Sequence, residues 1–428
     1  MISVASVDRS LTAVFVLALA LRLAWVAYTG TEIPPLSDPQ YYHATAANLA
    51  DGRGYTVAVD DRGFVAGSQG EPTAFWAPGY PFTLAPLYAV FGPDARAAKA
   101  LNAIAGALTV IPIFVLARRL AGHAAGLIAA TLFAVAPPLI FWTPALFSEP
   151  LFTLGIATTL AVALWASDRR SVAAYFLAGL ALIATAFVRS QGLLMIVPVA
   201  VLLWPRDAHP RALARIALPL AAGIAVLVVP WAVRNQRAMG EPYLINDNLG
   251  YNLRLAHAPY ATGTSIAPRD LWDERPGISF YERELFWDDV GASRAWTYAR
   301  THPGRELELA AKRVGWLLRS DAAPAMRWSE SLGRTPIDGP RDALVLLGDV
   351  WWYTLLALAA SSPIIARRDR LYVALWSAIG VWLALHLVFA GEPRYHVPLT
   401  PVLCILAAAA LVGVHHRVTE HREAASRS

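Results

Sequence analysis

Long apolar runs separated by short polar stretches are the dominant pattern along this chain. The hydrocarbon core of a bilayer is about 30 Å thick, so a helix that crosses it needs roughly 20 predominantly apolar residues. The runs predict an all-α polytopic membrane protein with about ten transmembrane helices. The predicted spans are residues 11–28, 95–117, 124–142, 150–166, 172–188, 190–204, 213–233, 343–362, 371–390 and 397–415.

Two long polar segments interrupt the apolar runs, at residues 29–94 and 234–342. They predict an organisation in three units: an N-terminal transmembrane module over 1–233, a long loop over 234–342, and the last three spans with a polar tail over 343–428.

Both long segments also carry helical patterns. Residues 39–50 are predicted to form a short helix that lies on the membrane. Residues 281–319 mix aromatic and charged positions at helical spacing, which is typical of amphipathic, interfacial helices.

The composition agrees with a membrane protein and excludes other classes. Of the 428 residues, 56% are hydrophobic and 16% are charged, whereas a soluble chain has about a quarter of its residues charged. This composition excludes a disordered chain, and the single cysteine, Cys404, excludes a disulfide scaffold. The formal net charge is +5, but the basic residues lie mostly between apolar runs, which indicates membrane topology and no nucleic-acid partner.

Arginine is unevenly distributed among the short loops, and this predicts the orientation of the chain. Thirteen arginines fall in one set of loops and in the tail: Arg118, Arg119, Arg169, Arg170, Arg206, Arg211, Arg215, Arg367, Arg368, Arg370, Arg417, Arg422 and Arg427. The short loops on the other side hold two, Arg189 and Arg394. Because positive residues favour the cytoplasmic side, both termini are predicted to be cytoplasmic and both long segments to lie on the outer face. The first run is interpreted as an uncleaved anchor.

Two acidic residues stand where apolar spans meet the predicted outer face. Asp38 follows the first span, and a carboxylate there could accept a proton from an attacking hydroxyl or amine, or bind a cation. The alternative is a loop residue that favours the turn before Pro39. Glu149 begins a charge-free span, where the alternative is a helix N-terminal residue beside a Ser148 cap. Since a carboxylate at membrane depth faces protein or water, the two acids are predicted to meet in one cavity.

Three arginines are predicted to lie at the depth of these acids: Arg189, Arg234 and Arg394. A guanidinium group binds phosphate through two hydrogen bonds and stays protonated, so the three indicate a site for a lipid phosphate beneath the outer headgroups. The alternatives are snorkelling of each arginine to lipid phosphates, or pairing of Arg394 with Glu392.

Around these residues the chain resembles the GT-C fold glycosyltransferases that depend on polyprenyl-phosphate sugars, a group that includes protein O-mannosyltransferase-like and lipid A aminoarabinose transferase-like enzymes. Four stretches carry the resemblance: Asp38 with Tyr41-Tyr42 and residues 47–55; Ala77-Pro78-Gly79-Tyr80-Pro81; Pro230-Trp231 with Arg234-Asn235 and Gly250-Tyr251-Asn252-Leu253; and Glu392-Pro393-Arg394-Tyr395 with Pro398 and Pro401. They occur in the order expected for the family. Pro39 stands where many members have a second acid, so a mechanism with two adjacent acids does not carry over.

The resemblance implies sugar transfer with inversion on the outer face of a bacterial plasma membrane. It implies Asp38 as the catalytic base, and Glu149 as a second carboxylate. Arg394 would grip the donor phosphate, together with Arg189 or Arg234. Further substrate-binding residues are expected to be Tyr41, Tyr42, Tyr251, Tyr395 and His396.

The implied partners are a polyprenyl-phosphate sugar donor, the lipid bilayer, and an acceptor that is a glycan, a lipid or a protein. No cofactor follows with certainty from the sequence. The histidines are spaced too loosely to predict a metal site, and a divalent cation between Asp38 and Glu149 stays an alternative.

A lipid-linked-sugar flippase or a small-molecule transporter is the rival from another class. Such proteins tend to have internal repeats and acids near the bilayer midplane. Here no repeat is visible and the acids gather at one predicted face, which favours an enzyme that works on one side. The chain also has no P-loop, which argues against an ATP-driven pump.

Overall fold

The computed structural model describes residues 8–35, 37–59, 65, 70–207, 209–275, 277–333, 340–365 and 369–427. The side chains of residues 364, 365 and 416–427 are outside the described set. Two of the arginines that set the predicted orientation, Arg367 and Arg368, therefore lie outside the described residues, as do the side chains of the three tail arginines.

The described residues are mostly helical, as the apolar pattern predicts. The helices of the first half are α1 Arg9–Tyr28, α2 Asp38–Ala50, α3 Gly79–Phe91, α4 Ala95–Leu108, α5 Val110–Ala134, α6 Pro137–Trp142, α7 Glu149–Arg169, α8 Val172–Val188, α9 Ile196–Leu203 and α10 Pro210–Met239. Those of the second half are α11 Leu249–Ala256, α12 Arg269–Trp272, α13 Phe280–Thr301, α14 Pro303–Leu317, α15 Ala322–Glu330, α16 Arg341–Ile365, α17 Arg370–Val388 and α18 Thr400–Arg427. Two 3₁₀ helices, Ser190–Met195 and Pro393–Leu399, precede α9 and α18.

The fold class predicted from the sequence, an all-α polytopic membrane protein, is confirmed. Seven helical stretches among the described residues are long and apolar enough to cross a bilayer. One of them, Ala95–Ala134, has 40 residues and contains non-helical backbone at Ala121 and Gly122, with a φ of 87° at Gly122. This break falls between the two predicted spans 95–117 and 124–142. Two further predicted spans coincide with the shorter apolar helices Val172–Val188 and Ser190–Leu203, so the count of ten stays a prediction.

The segment between α1 and α4 folds into a small cap built from two helices and one strand pair. Strands β1 (Thr56–Val57) and β2 (Glu71–Pro72) pair antiparallel between α2 and α3. Helix α2 confirms the helix predicted at 39–50. Its aromatic residues pack with those of α3 and α13 in one cluster that includes Tyr41, Trp76 and Trp287. This cluster fixes the cap against the second long segment.

The second long segment is helical where the amphipathic pattern predicts it, since α13 and α14 cover most of residues 281–319. A capping box starts α13: the Ser279 side chain accepts from the Glu282 backbone amide, and the Glu282 side chain accepts from the Ser279 amide. Helix α13 packs against α11 and against β2 of the cap. The two long segments thus pack against each other.

Close backbone contact holds α8 to α10. A Cβ placed on Gly179 would lie 2.0 Å from the Leu220 carbonyl oxygen, and one on Gly223 would lie 2.1 Å from the Phe176 carbonyl oxygen. Small residues at helix crossings let backbones approach in this way, which is a common source of cohesion inside membranes.

We predict that Gly179→Ala lowers the thermal stability of the detergent-solubilised protein, because the new methyl group must push α8 away from α10. Overpacking of this kind costs about 1–3 kcal/mol. Gly380→Ala in α17 is the matched control, since no atom lies within 4 Å of its ideal Cβ position. Thermal unfolding followed by tryptophan fluorescence checks both variants, and equal midpoints would contradict the close contact.

Candidate active site

Two helix N-termini supply the two acids that the sequence singles out. Asp38 is in the first turn of α2 and Glu149 is in the first turn of α7, each followed by a proline at the start of its helix. Proline is favoured there because its missing N–H is not needed, and a carboxylate is favoured by the partial positive charge of the helix end. Ser148 makes no capping hydrogen bond, so the cap considered for it is not formed.

Glu149 is buried between two arginines. Its Oε1 lies 3.1 Å from Arg189 Nη1 and 3.2 Å from Arg394 Nε, and its side chain is 3% exposed. Arg189 stands at the end of α8, and Arg394 stands in the 3₁₀ turn before α18. The Ser148 hydroxyl also accepts from Arg189 at 3.2 Å. The Glu149 carboxylate therefore contacts guanidinium groups from two parts of the chain that are far apart in sequence.

Arg394 also reaches the first acid. Its Nη2 lies 4.0 Å from Asp38 Oδ2, and its guanidinium carbon lies 4.0 Å from the centre of the Phe147 ring. The Asp38 side chain is 40% exposed and accepts a long hydrogen bond from Trp76 Nε1 at 3.4 Å. Asp38 is thus the solvent-facing acid of the pair, and Glu149 is the buried one.

The position of Arg394 bears on whether the two acids could hold a divalent cation. Because its guanidinium group contacts both carboxylates, a positive charge already occupies the space between them. No group of three or more metal-ligating side chains occurs among the described residues. With Arg394 in this position, the arrangement does not fit a cation between Asp38 and Glu149.

The predicted tyrosines reach the surroundings of these acids in different ways. Tyr42 lies beside Ser148 and Asp38, and burial raises the pKa of its phenol. The Tyr41 ring stacks on Trp76 with the centroids 4.2 Å apart. Tyr251 accepts a hydrogen bond from Trp272 at 3.4 Å, and burial raises its pKa to about 12, so it stays a neutral hydrogen-bond donor.

Two other predicted substrate-binding residues have structural partners. The ring nitrogens of His396 lie 2.9 Å from the Leu317 carbonyl oxygen and 3.2 Å from an Asp321 carboxylate oxygen. Its ring stacks on Trp352 at 3.5 Å. The Tyr395 hydroxyl is 2.9 Å from the hydroxyl of Ser265. These contacts make a role in holding the 3₁₀ turn the simpler interpretation for both residues.

Arg234 is also engaged with protein groups. It donates to the Thr73 carbonyl at 2.8 Å and to the Tyr55 carbonyl, and it lies 5.1 Å from the centre of the Trp231 ring. In the structure Arg189 contacts Glu149, and Arg394 contacts both acids, whereas Arg234 contacts the cap. Trp76, which the sequence reasoning missed, directly precedes the Ala77–Pro81 motif and contacts Asp38.

An apolar groove of about 950 Å³ runs between α3, α7, α8 and α10. Leu151 and Val188 line it, so it comes within two residues of Glu149 and Arg189 along their helices. Of the described residues on its walls, Arg234 alone is charged. An apolar groove of this size suits a hydrocarbon chain.

We predict that Glu149→Gln strongly destabilises the protein, because it leaves two neighbouring guanidinium groups without their buried countercharge. Breaking a buried pair in this way costs about 3–5 kcal/mol. Glu308→Gln is the control, since Glu308 pairs with Arg305 and Lys312 at the exposed surface, where water screens the charges. Thermal unfolding in detergent measures both, and a Glu149→Gln protein as stable as the control would contradict the pairing.

Comparison with known proteins agrees with the resemblance drawn from the sequence. Residues 75–233 match a family model described as dolichyl-phosphate-mannose-protein mannosyltransferase. No curated protein matches the chain.

Among solved structures, the chain is similar to the oligosaccharyltransferase of Archaeoglobus fulgidus. The complex of that protein, AglB, with an inhibitory peptide and a dolichol-phosphate has a TM-score of 0.54 and 16% identity, covering 98% of this chain and 51% of that one. The form tethered to an acceptor peptide has a TM-score of 0.55 and 15% identity, and the match covers 97% of this chain and 51% of that one. ArnT from Cupriavidus metallidurans bound to undecaprenyl phosphate has a TM-score of 0.43 and 14% identity, and the match covers 92% of this chain and 77% of that one.

The chain spans about half the length of the archaeal oligosaccharyltransferase. At this level of identity the likeness shows the fold, and that fold is the GT-C glycosyltransferase fold predicted from the sequence.

Proposed function

We propose that this protein is an integral membrane glycosyltransferase. It moves a sugar from a polyprenyl-phosphate donor to an acceptor on the outer face of a bacterial plasma membrane, with inversion at the anomeric carbon. The observation that carries the proposal is the cluster in which Glu149 contacts Arg189 and Arg394, with Arg394 also 4.0 Å from Asp38. An apolar groove lined by Leu151 and Val188 lies close to this cluster along the chain. The AglB structure with a dolichol-phosphate supports a lipid phosphate as the kind of ligand.

The donor binds through its two chemically different parts. Its hydrocarbon tail fills the groove between α7, α8 and α10, and its phosphate reaches the guanidinium groups of Arg394 and Arg189. Both arginines are held by Glu149, so their geometry is set before the donor arrives. Preorganised donors of this kind stabilise charge that develops in the transition state.

Asp38 acts as the general base. The acceptor hydroxyl or amine attacks the anomeric carbon from the face opposite to the phosphate, and its proton passes to the Asp38 carboxylate. The new bond joins the acceptor atom to that carbon, while the bond from the carbon to the phosphate oxygen breaks. Polyprenyl phosphate leaves with the electron pair, and Arg394 neutralises its growing charge. Exposure of the Asp38 side chain leaves room for the acceptor.

The tyrosines Tyr41, Tyr42 and Tyr251 would line the sugar and acceptor pocket, since all three lie around Asp38 or its Trp76 partner. The proposal leaves Arg234, Tyr395 and His396 in supporting positions.

We predict that Asp38→Asn lowers the rate of sugar transfer by about a hundredfold to ten-thousandfold, the usual contribution of a positioned general base. The measurement is transfer from radiolabelled polyprenyl-phosphate sugars in membranes, tested over a panel of donors. Asp51→Asn is the matched control, because Asp51 follows the same helix and forms an exposed pair with Arg53. Full activity of Asp38→Asn would remove this residue as the base.

A flippase would give a different result in the same membranes. It would move the donor between leaflets with the sugar still attached to its carrier, and Asp38→Asn would leave the donor chemically intact as the wild type does. Release of the sugar from the carrier by the wild type therefore separates the two functions.

We predict that Arg394→Lys lowers transfer by about a hundredfold to a thousandfold, because lysine keeps the charge but cannot hold Glu149 and the phosphate through a planar fork. The loss is expected mainly in kcat, since the contact strengthens as the phosphate leaves. Arg96→Lys, at an exposed pair with Asp94, is the control. A change in KM alone would place Arg394 in ground-state binding only.

A further inference from the structure

Residues 73–76, called here the bridging segment, are held mainly by hydrogen bonds from other parts of the chain. Their four consecutive backbone carbonyls each accept a hydrogen bond from a different residue. The donors, from residue 73 to residue 76, are the Arg234 guanidinium at 2.8 Å, the Asp247 amide at 3.1 Å, the Asn248 side chain at 2.7 Å and the Tyr55 hydroxyl at 2.8 Å. The segment ends in Trp76, whose indole N–H contacts Asp38, so its position decides how the proposed base is held.

A pair of buried carboxyl groups lies behind this segment. Glu284 of α13 accepts from the Thr73 hydroxyl with Oε1 and from the Ala74 amide with Oε2, the latter at 3.2 Å. Asp247 lies at the same residue, since its backbone amide donates to the Ala74 carbonyl while the Ala74 amide donates to Glu284. Neither oxygen of the buried Asp247 carboxyl group accepts a hydrogen bond from a described residue. Asp247 is 1% exposed and Glu284 is 0% exposed.

Two ionised carboxylates cannot hydrogen-bond to each other, because both are acceptors only. When like charges are forced together away from water, one group keeps its proton. Burial raises the pKa of Asp247 to about 7 and that of Glu284 well above its usual range. The pair therefore retains a proton at neutral pH.

A metal ion is a poorer occupant than a proton. Both Glu284 oxygens already accept from oriented donors of the bridging segment, and the pair belongs to no group of three metal-ligating side chains among the described residues. A hard cation such as calcium needs six or more oxygen ligands, which this buried site does not supply.

We propose that Asp247 and Glu284 are positioning residues that share one proton and, in that state, hold the bridging segment so that Trp76 stays on Asp38. Loss of the proton leaves two buried negative charges side by side, and the segment opens. The inference about the pair stands on its own geometry, and its effect on sugar transfer rests on the proposed function.

Other charged and titratable groups also face the pair. On the cap side these are the Arg234 guanidinium and the Tyr55 phenol. On the side of the second long segment they are Asp288, Tyr243 and, beside Tyr243, Glu241. Arg234 is the one positive group among them, and it opposes the loss of the proton only in part, because its donors are used on backbone carbonyls.

The first test is amide hydrogen exchange of the peptide that contains residues 73–76 in the purified protein, measured across pH. Opening releases the shared proton, because the opened carboxyl groups regain ordinary pKa values. We expect the opening equilibrium to rise by up to about tenfold per pH unit from about pH 5 to the raised pKa, beyond the intrinsic pH dependence of exchange, and then to level off.

Asp247→Asn is the informative variant, since its amide N–H replaces the shared proton by a hydrogen that does not titrate. It should keep the segment protected at all pH values in that range. Glu284→Gln serves if Asp247→Asn fails to fold, and Glu308→Gln, an exposed change in the same long segment, is the control that should behave as the wild type. The same pH slope in Asp247→Asn and wild type would overturn the proposal, as would removal of the slope by a chelator.

The second test separates this inference from the proposed function. If the chain transfers sugar, the kcat of the wild type should fall at alkaline pH as the pair loses its proton, while KM stays constant. In the pH profile of Asp247→Asn this alkaline fall in kcat should be absent. An alkaline limb that is unchanged in Asp247→Asn would overturn the positioning role. If no donor supports transfer, the proposed function fails, and the exchange slope still decides whether the pair controls the segment.

Discussion

The ion pairs of Glu149 with Arg189 and Arg394 are the constraint on which the candidate site depends. Three charged side chains come together at the ends of α7 and α8 and in the turn before α18. A lone carboxylate in this buried place would be very costly, and so would either arginine alone. The cluster therefore requires that all three elements meet, and their meeting places Arg394 next to Asp38.

The cap depends on a second kind of constraint, the satisfaction of backbone polar groups away from water. The bridging segment is buried and is not helical, so its carbonyls are not satisfied within the segment as they are in a helix. Donors from α10, from the start of the second long segment and from Tyr55 supply what it lacks. Three of these four carbonyls therefore depend on donors that lie far along the chain, at residues 234, 247 and 248.

Much of this arrangement could be predicted from the sequence, because the strongest signals are local. Apolar runs show helices directly, and the acids stand out because charges are rare near such runs. Glu149 and Arg394 could be suspected for that reason. The pairing of Arg394 with Glu149 rather than Glu392 could not, since it depends on contacts between residues far apart in the chain. The sequence does not single out Asp247 or Glu284 as buried or functional residues, because acidic residues are common in a polar loop. The substrate-binding role of His396 stays a prediction, and its contacts with Leu317, Asp321 and Trp352 could not be foreseen because these residues are far away in the chain.

The origin of the partners has a consequence for biosynthesis. The bridging segment is made early, but its donors and its acidic partner come from residues 234, 247, 248 and 284. Arg394 is made later still, in the turn before the last helix. During membrane insertion Glu149 and Arg189 can meet as soon as α7 and α8 are in place, whereas Asp38 and the cap must wait. A nascent chain that stops before residue 394 therefore lacks one of the three charged groups of the candidate site.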